Sequence, residues 1–291
     1  MRFVRPYQGL LTAMITPFRA DGEVNDEAAV ALGRYLLQHG SDGLVVAGTT
    51  GEGATLSDEE LTELVRLIAG ELGSEGSVVA GAGTNDTRHA VHLTEAVVEA
   101  GAQAVLSVTP YYNKPNRRGI IRHFEEVARA AGGTPVILYN IPGRTAVNMP
   151  PDLLPELAQI DGIVAVKQAN GDELQPIDGL AVLAGDDTLL AQTLDFGGAG
   201  GICVASHIVG PEMKRLFDEP ERRAEIDASL RDVYATLFLT ASPTCTKAAL
   251  NLMGLEAGPC RLPMVDADEA ETAEVRAMLE RHGLLQRAAT A

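Results

Sequence analysis

Residues 135–170 read PVILYNIPGRTAVNMPPDLLPELAQIDGIVAVKQAN. Two apolar runs bracket this stretch, Pro135–Tyr139 and Ile163–Val166. Both are rich in branched residues and apolar on both faces, as in strands of a parallel sheet covered on two sides. Each run ends in polar residues: Tyr139-Asn140-Ile141-Pro142-Gly143-Arg144 after the first and Lys167 after the second. Outward from here the same pattern recurs at Gly9–Ile15, Gly43–Ala47, Ser77–Ala80, Ala104–Val108, Ala181–Ala184 and Gly201–Val204. Helical periodicity fills gaps between the runs. Asp26–His39 closes at Gly40, Ser57-x-x-Glu60 opens a helix with a capping box, Asp86–Glu99 stops before Gly101, and Arg117–Ala131 stops at Gly132.

Eight such units predict an α/β fold, a (β/α)8 TIM barrel. A doubly wound open sheet would need a glycine-rich phosphate turn after its first strand. The chain has Thr16-Pro17-Phe18 there instead. Beyond Pro220 only helical patterns remain, at Arg222–Thr240, Pro243–Met253 and Asp266–His282. The expected division is a barrel over 1–220 carrying the active site and a C-terminal helical appendage over 221–291.

Composition narrows the function classes. The chain has 291 residues, 23 basic against 40 acidic, and a formal charge of −17. That balance opposes a sequence-independent nucleic-acid surface or an anionic membrane, both of which need a basic face. No apolar run approaches the length of a membrane span, and the N-terminal residues read as mature sequence, not a signal peptide. Three cysteines, Cys203, Cys245 and Cys260, without paired spacing argue against a disulfide framework or structural zinc and favour a reducing cytoplasm.

Only four of the basic residues are lysines: Lys114, Lys167, Lys214 and Lys247. Lys167 ends an apolar run, where desolvation would lower its pKa and free the amine to form a Schiff base with a ketone. The plainer alternative is a strand-end lysine that reaches solvent or pairs with a carboxylate. The other three lie in a loop or on predicted helices, with solvated or structural roles expected. In such a barrel, chemistry sits at the C-terminal strand ends. Polar residues gather there: Gly48-Thr49-Thr50-Gly51-Glu52, Thr109-Pro110-Tyr111-Tyr112-Asn113, Tyr139, Arg144, Lys167 and Asp186-Asp187. The tyrosines could carry protons within a hydroxyl relay through Thr49 or Thr50, or could be half-buried rim residues. Arg144 could hold a substrate carboxylate or form a surface salt bridge. Asp186-Asp187 reads as a helix cap, and His89 with His92 lacks the acidic partners of a metal motif.

The segments GTTGE (48–52), VTPYYNKP (108–115), YNIPGRT (139–145), VKQAN (166–170) and AGDD (184–187), with Arg261-Leu262-Pro263, resemble the pyruvate-dependent Schiff-base class I aldolase and N-acetylneuraminate lyase family. Among its members the chain is most similar to those that condense pyruvate with L-aspartate 4-semialdehyde. The resemblance implies a barrel with a C-terminal helical domain, a homotetramer built from two tight dimers, and no metal or organic cofactor. It implies that Lys167 forms the imine, and that Tyr139, Thr49 and Tyr112 relay protons, Tyr112 reaching in from a neighbouring subunit. Thr50 and Ile202 match pyruvate-contacting positions, and Arg144 matches the residue that receives the semialdehyde carboxylate. Sugar-acid lyases of the family usually lack the Gly143-Arg144-Thr145 sequence, which favours the semialdehyde over the alternative, another pyruvate-dependent aldolase acting on a sugar acid or hydroxy-oxoglutarate. Gln168 stands where many members carry an acid, with little catalytic effect expected. Tyr111 and Asn85 match positions at which many members bind inhibitory L-lysine. Asp58, Leu61 and His89 depart from the lysine-sensitive pattern, so weak or absent inhibition is expected.

Overall fold

Eight parallel strands pair in sequence order, and the last pairs with the first to close the barrel. The computed structural model describes residues 5–285, so residues 1–4 and 286–291, the outer ends of the two expected units, lie outside the description. The strands are β1 (Gly9–Ala13), β2 (Gly43–Val46), β3 (Ser77–Gly81), β4 (Ala104–Val108), β5 (Val136–Asn140), β6 (Ile163–Gln168), β7 (Ala181–Ala184) and β8 (Gly200–Cys203). Each overlaps one of the eight apolar runs. Differences are confined to one or two residues at the ends, where pairing with neighbours and not composition decides the boundary.

Four full helices follow the first four strands: α1 (Asp26–Gln38), α2 (Asp58–Leu72), α3 (Thr87–Glu99) and α4 (Arg117–Ala130). Asn25, Ser57, Asp86 and Asn116 cap them through side-chain oxygens, and Ser57 and Glu60 complete the capping box. After β5 the crossover thins. Only α5 (Pro142–Thr145) and α6 (Leu154–Leu157) form, in a stretch broken by Pro142, Pro150, Pro151 and Pro155. A short α7 (Leu190–Asp195) joins β7 to β8, and α8 (Ser206–Asp218) leaves the barrel.

The C-terminal helices are α9 (Arg223–Leu237), α10 (Thr244–Leu252) and α11 (Glu269–Arg281). Ile226, Leu230 and Val233 of α9, Ala249 and Leu250 of α10, and Val275, Met278 and Leu279 of α11 share one hydrophobic cluster with the barrel strands. A second cluster, around Phe124, Leu138, Met149, Leu157 and Val166, fills the space outside β5 and β6. No helix among the described residues is long and apolar enough to cross a membrane.

Strand registry decides what faces inward. Partners across parallel strands share a face, and neighbours along a strand alternate. Val108 pairs with Tyr139, Tyr139 with Lys167, Lys167 with Leu183, and Leu183 with Gly200. Ile202, two residues beyond Gly200, faces the same way. These residues line the interior at its C-terminal end, while Asn140 and Gln168, the next register pair, face out.

Candidate active site

Lys167 is the second-last residue of β6 and is only 6% exposed. Its Nζ lies 4.2 Å from the centroid of the Tyr139 ring. Tyr139 lies inside β5, not after it, and is likewise buried. An amine pressed against an aromatic face in an apolar barrel is excluded from bulk water, which removes the alternative of a lysine reaching solvent. No carboxylate forms a salt bridge with it among the described residues.

Beside this pair opens a cleft of about 350 Å³ whose walls include Thr49, Tyr111, Tyr139, Ile141 and Arg144. Thr49 is exposed on the loop after β2; Thr50 is buried and its Oγ1 accepts a 3.4 Å hydrogen bond from Ser242 Oγ. Arg144 is the third residue of α5 and is exposed at the cleft. Ile202 is buried on the inward face of β8. Tyr112 does not join Tyr139 within one chain: it sits in left-handed backbone, φ 71°, with 87% of its surface exposed.

The loop after β2 is built under constraint. Ala47 and Glu52, φ 55° and 54°, are non-glycine residues in left-handed backbone, a conformation costing roughly 1 kcal/mol or more at each. Any side chain at Gly53 would collide with the Ala47 carbonyl. Thr16 Oγ1 donates to Gly51 O at 2.6 Å, and His207 Nε2 accepts from Ile15 N at 3.1 Å. Burial holds the His207 imidazole neutral, its pKa lowered to about 4.

Behind the strands lies a polar layer that composition did not mark. Asn140 Nδ2 donates to Gln168 Oε1 at 3.1 Å, and Asn170 N donates to the same oxygen at 3.0 Å. Gln168 therefore points away from the cleft. Asp186 caps the turn after β7 through Thr188 N, as the sequence suggests. Asp187 does something else. It is fully buried, and its Oδ1 accepts from Val204 N at 2.9 Å and Ala205 N at 3.1 Å. Burial, with the neighbouring Asp186 charge, raises its pKa to about 6. Burial and the Asp187 charge also push the Cys203 thiol well up, and Lys167 works against that shift.

Missed by sequence reasoning is an ion pair between Glu52 of this loop and Lys247 of α10, 2.6 Å long, with side chains 1% and 2% exposed. Lys247 is thus structural, as expected, but not solvated. His89 and His92 both turn toward Asp58, His89 Nε2 lying 2.8 Å from its Oδ1.

A closed parallel barrel with a desolvated lysine against a tyrosine at its mouth defines a class, the barrel enzymes able to form a Schiff base through a strand-end lysine. Residues 6–282 match the Dihydrodipicolinate synthetase family, and the chain belongs to that family. It is 41% identical over 288 residues to the 4-hydroxy-tetrahydrodipicolinate synthase of Desulforudis audaxviator, covering 95% of this chain and 98% of that one. With the synthase of Heliobacterium modesticaldum the identity is 42% over 287 residues, 94% and 95% of the two chains. Among solved structures, the DHDPS of Cyanidioschyzon merolae with lysine bound superposes with a TM-score of 0.90 at 38% identity, covering 97% of this chain and all of that one. The chloride-inhibited dihydrodipicolinate synthase of Acinetobacter baumannii complexed with pyruvate gives 0.92 at 33%, covering 96% and 100%.

Proposed function

We propose that this protein condenses pyruvate with L-aspartate 4-semialdehyde to give 4-hydroxy-tetrahydrodipicolinate, a step toward lysine and diaminopimelate. The observation that carries the reading is Lys167, buried on the inward face of β6 against Tyr139 and beside the cleft that Thr49 and Arg144 line. The names of the full-length relatives support the substrates.

In this reading Lys167 Nζ adds to the pyruvate ketone, and the carbinolamine loses water to an imine. The imine draws electrons from the methyl group, one methyl proton leaves, and the enamine carbon attacks the aldehyde. The new alkoxide takes a proton. The amine of the condensed product then replaces Lys167 on the former ketone carbon, closing the ring and freeing the lysine. Tyr139, whose ring centroid lies 4.2 Å from Lys167 Nζ, is the proton carrier beside the amine. A buried phenol can pass protons on only through a relay, and Thr49 with Tyr112 of a neighbouring subunit would supply it. Thr50 and Ile202 would bound the pyruvate pocket. Arg144, exposed at the cleft, would take the semialdehyde carboxylate, a local positive charge that a chain of net −17 needs for an anionic substrate.

A homotetramer of two tight dimers accompanies this proposal, supported by the exposed Tyr112. A cytoplasmic location is supported by three free cysteines. The division into a catalytic barrel over 1–220 and a helical unit over 221–291 is proposed on the same footing.

The test is pyruvate consumption by the purified protein with and without L-aspartate 4-semialdehyde, beside Lys167→Ala. Consumption that needs the semialdehyde and vanishes in the variant is the expected result. A borohydride-trapped pyruvate adduct without consumption would replace the semialdehyde by another aldehyde, as in a pyruvate-dependent aldolase of a sugar acid or of hydroxy-oxoglutarate. No adduct at all would overturn the reading.

A further inference from the structure

The loop carrying Thr49 and Thr50 has left-handed backbone at both ends, which non-glycine residues hold only when their surroundings over-determine them. Much of what holds it comes from the other end of the chain. Glu52 Oε1 meets Lys247 Nζ at 2.6 Å, and Glu52 Oε2 accepts from Arg261 N at 2.8 Å. Lys247 Nζ also donates to Pro259 O at 2.7 Å and stands 4.2 Å from the Phe18 ring centroid. The Arg261 guanidinium lies 4.4 Å from the same centroid, and Ser242 reaches Thr50.

A buried ion pair is a poor stabiliser compared with apolar groups of equal volume, because desolvation offsets the Coulomb attraction. Burial indeed lowers the Lys247 pKa, with Glu52 acting the other way. What the pair does supply is direction, since Oε2 is held by Arg261 N and the ammonium by Pro259 O, with Oε1 and the ammonium in ionic contact. We propose that Glu52 and Lys247 are positioning residues: through them the C-terminal helices set the Thr49–Thr50 loop for proton transfer, although neither touches substrate. This rests on the relay reading of Thr49 given above.

Three readouts test it: thermal stability, borohydride trapping of pyruvate on Lys167, and exchange of the pyruvate methyl protons with deuterated solvent, which needs no aldehyde. Glu52→Gln with Lys247→Met removes both charges and leaves none unpaired. The expected result is a melting temperature and a trapped adduct close to wild type, with exchange and kcat both reduced about 10- to 100-fold, the scale on which a misplaced group slows a reaction. Lys247→Met alone is expected to lose stability as well, because it strands the Glu52 carboxylate. Should the double variant fold poorly, Lys247→Arg, which keeps the charge but shifts it, is read in the same way. Exchange at the wild-type rate in a folded variant overturns the proposal and leaves the pair merely structural. A wild-type chain that traps no pyruvate overturns the functional reading instead, so the two failures are distinct.

Discussion

Asp187 shows how one buried group near the site can shape stability without touching substrate. Its carboxyl is fully buried, and its pKa rises from 3.8 to about 6 because burial disfavours the charged form. The folded state therefore holds this proton to higher pH than the unfolded chain does. Its contribution is most favourable when the group is protonated, declines as pH climbs from about 4 to about 6, and then stays constant. At 1.4 kcal/mol per unit the penalty above pH 6 is on the order of 3 kcal/mol. The Asp187 carboxyl also meets the Cys203 thiol, and Tyr234 Oη is buried without a hydrogen-bond partner among the described residues. Asp187→Asn keeps an oxygen for Val204 N and Ala205 N and removes the charge. The expected outcome is a gain of about 1–3 kcal/mol at pH 7.5 that shrinks toward zero by pH 4, read from denaturant midpoints of both proteins across that range. A gain independent of pH would show that packing, not charge, is responsible.

At the scale of elements, the strands were legible because each is covered on both faces and so reads as an unbroken apolar run. The first four helices were legible from caps and closing glycines. The crossovers after β5 and β7 were not, since their packing is carried by short turns such as α5 and α6 that leave no helical period. Lys167, Tyr139 and Arg144 could be nominated because strand ends in a barrel face the same cavity. Glu52–Lys247 could not, because its partners lie 195 positions apart and each alone reads as an ordinary surface charge. The clasp between α2 and α3 was equally hidden. There Asp58 Oδ1 lies 2.8 Å from His89 Nε2 and Leu61 is buried, while nearby the loop after β4 joins the loop before α3, Asn113 Nδ2 donating to Asn85 O at 2.7 Å. Asp58, Asn85, His89 and Tyr111 line the cleft that Arg144 also borders. The Asp58 carboxylate is already engaged by an imidazole, so it is a poor partner for an added ammonium. L-Lysine is accordingly expected not to inhibit below about 1 mM, a threshold equal to only about −4 kcal/mol of binding. A dose–response in the pyruvate assay checks this, and clear inhibition at lower concentration would show that His89 yields Asp58 to the ligand.

For the whole molecule the decisive question is whether one chain holds a complete site. Lys167, Tyr139, Thr50 and Ile202 are buried within it, and Thr49 and Arg144 border its cleft. Tyr112 stands apart, 87% exposed in strained left-handed backbone. A large aromatic held outward at such a conformation suits insertion into a second copy. In a two-fold dimer the contact is reciprocal, each protomer lending its Tyr112 to the other. Complementation follows from that geometry. Lys167→Ala chains lack the amine but still offer Tyr112, while Tyr112→Phe chains have the amine but offer no hydroxyl. In a mixed dimer the site with an intact Lys167 receives an intact Tyr112 from its partner, and the other site has neither. Random pairing of equal amounts makes about half the dimers mixed, each with one working site of two, so about a quarter of all sites recover. Co-expressing the two variants is therefore expected to give roughly a quarter of wild-type kcat per chain, well above either variant alone. Activity no greater than the mean of the separate variants would place the relay within one chain and leave Tyr112 as a rim residue.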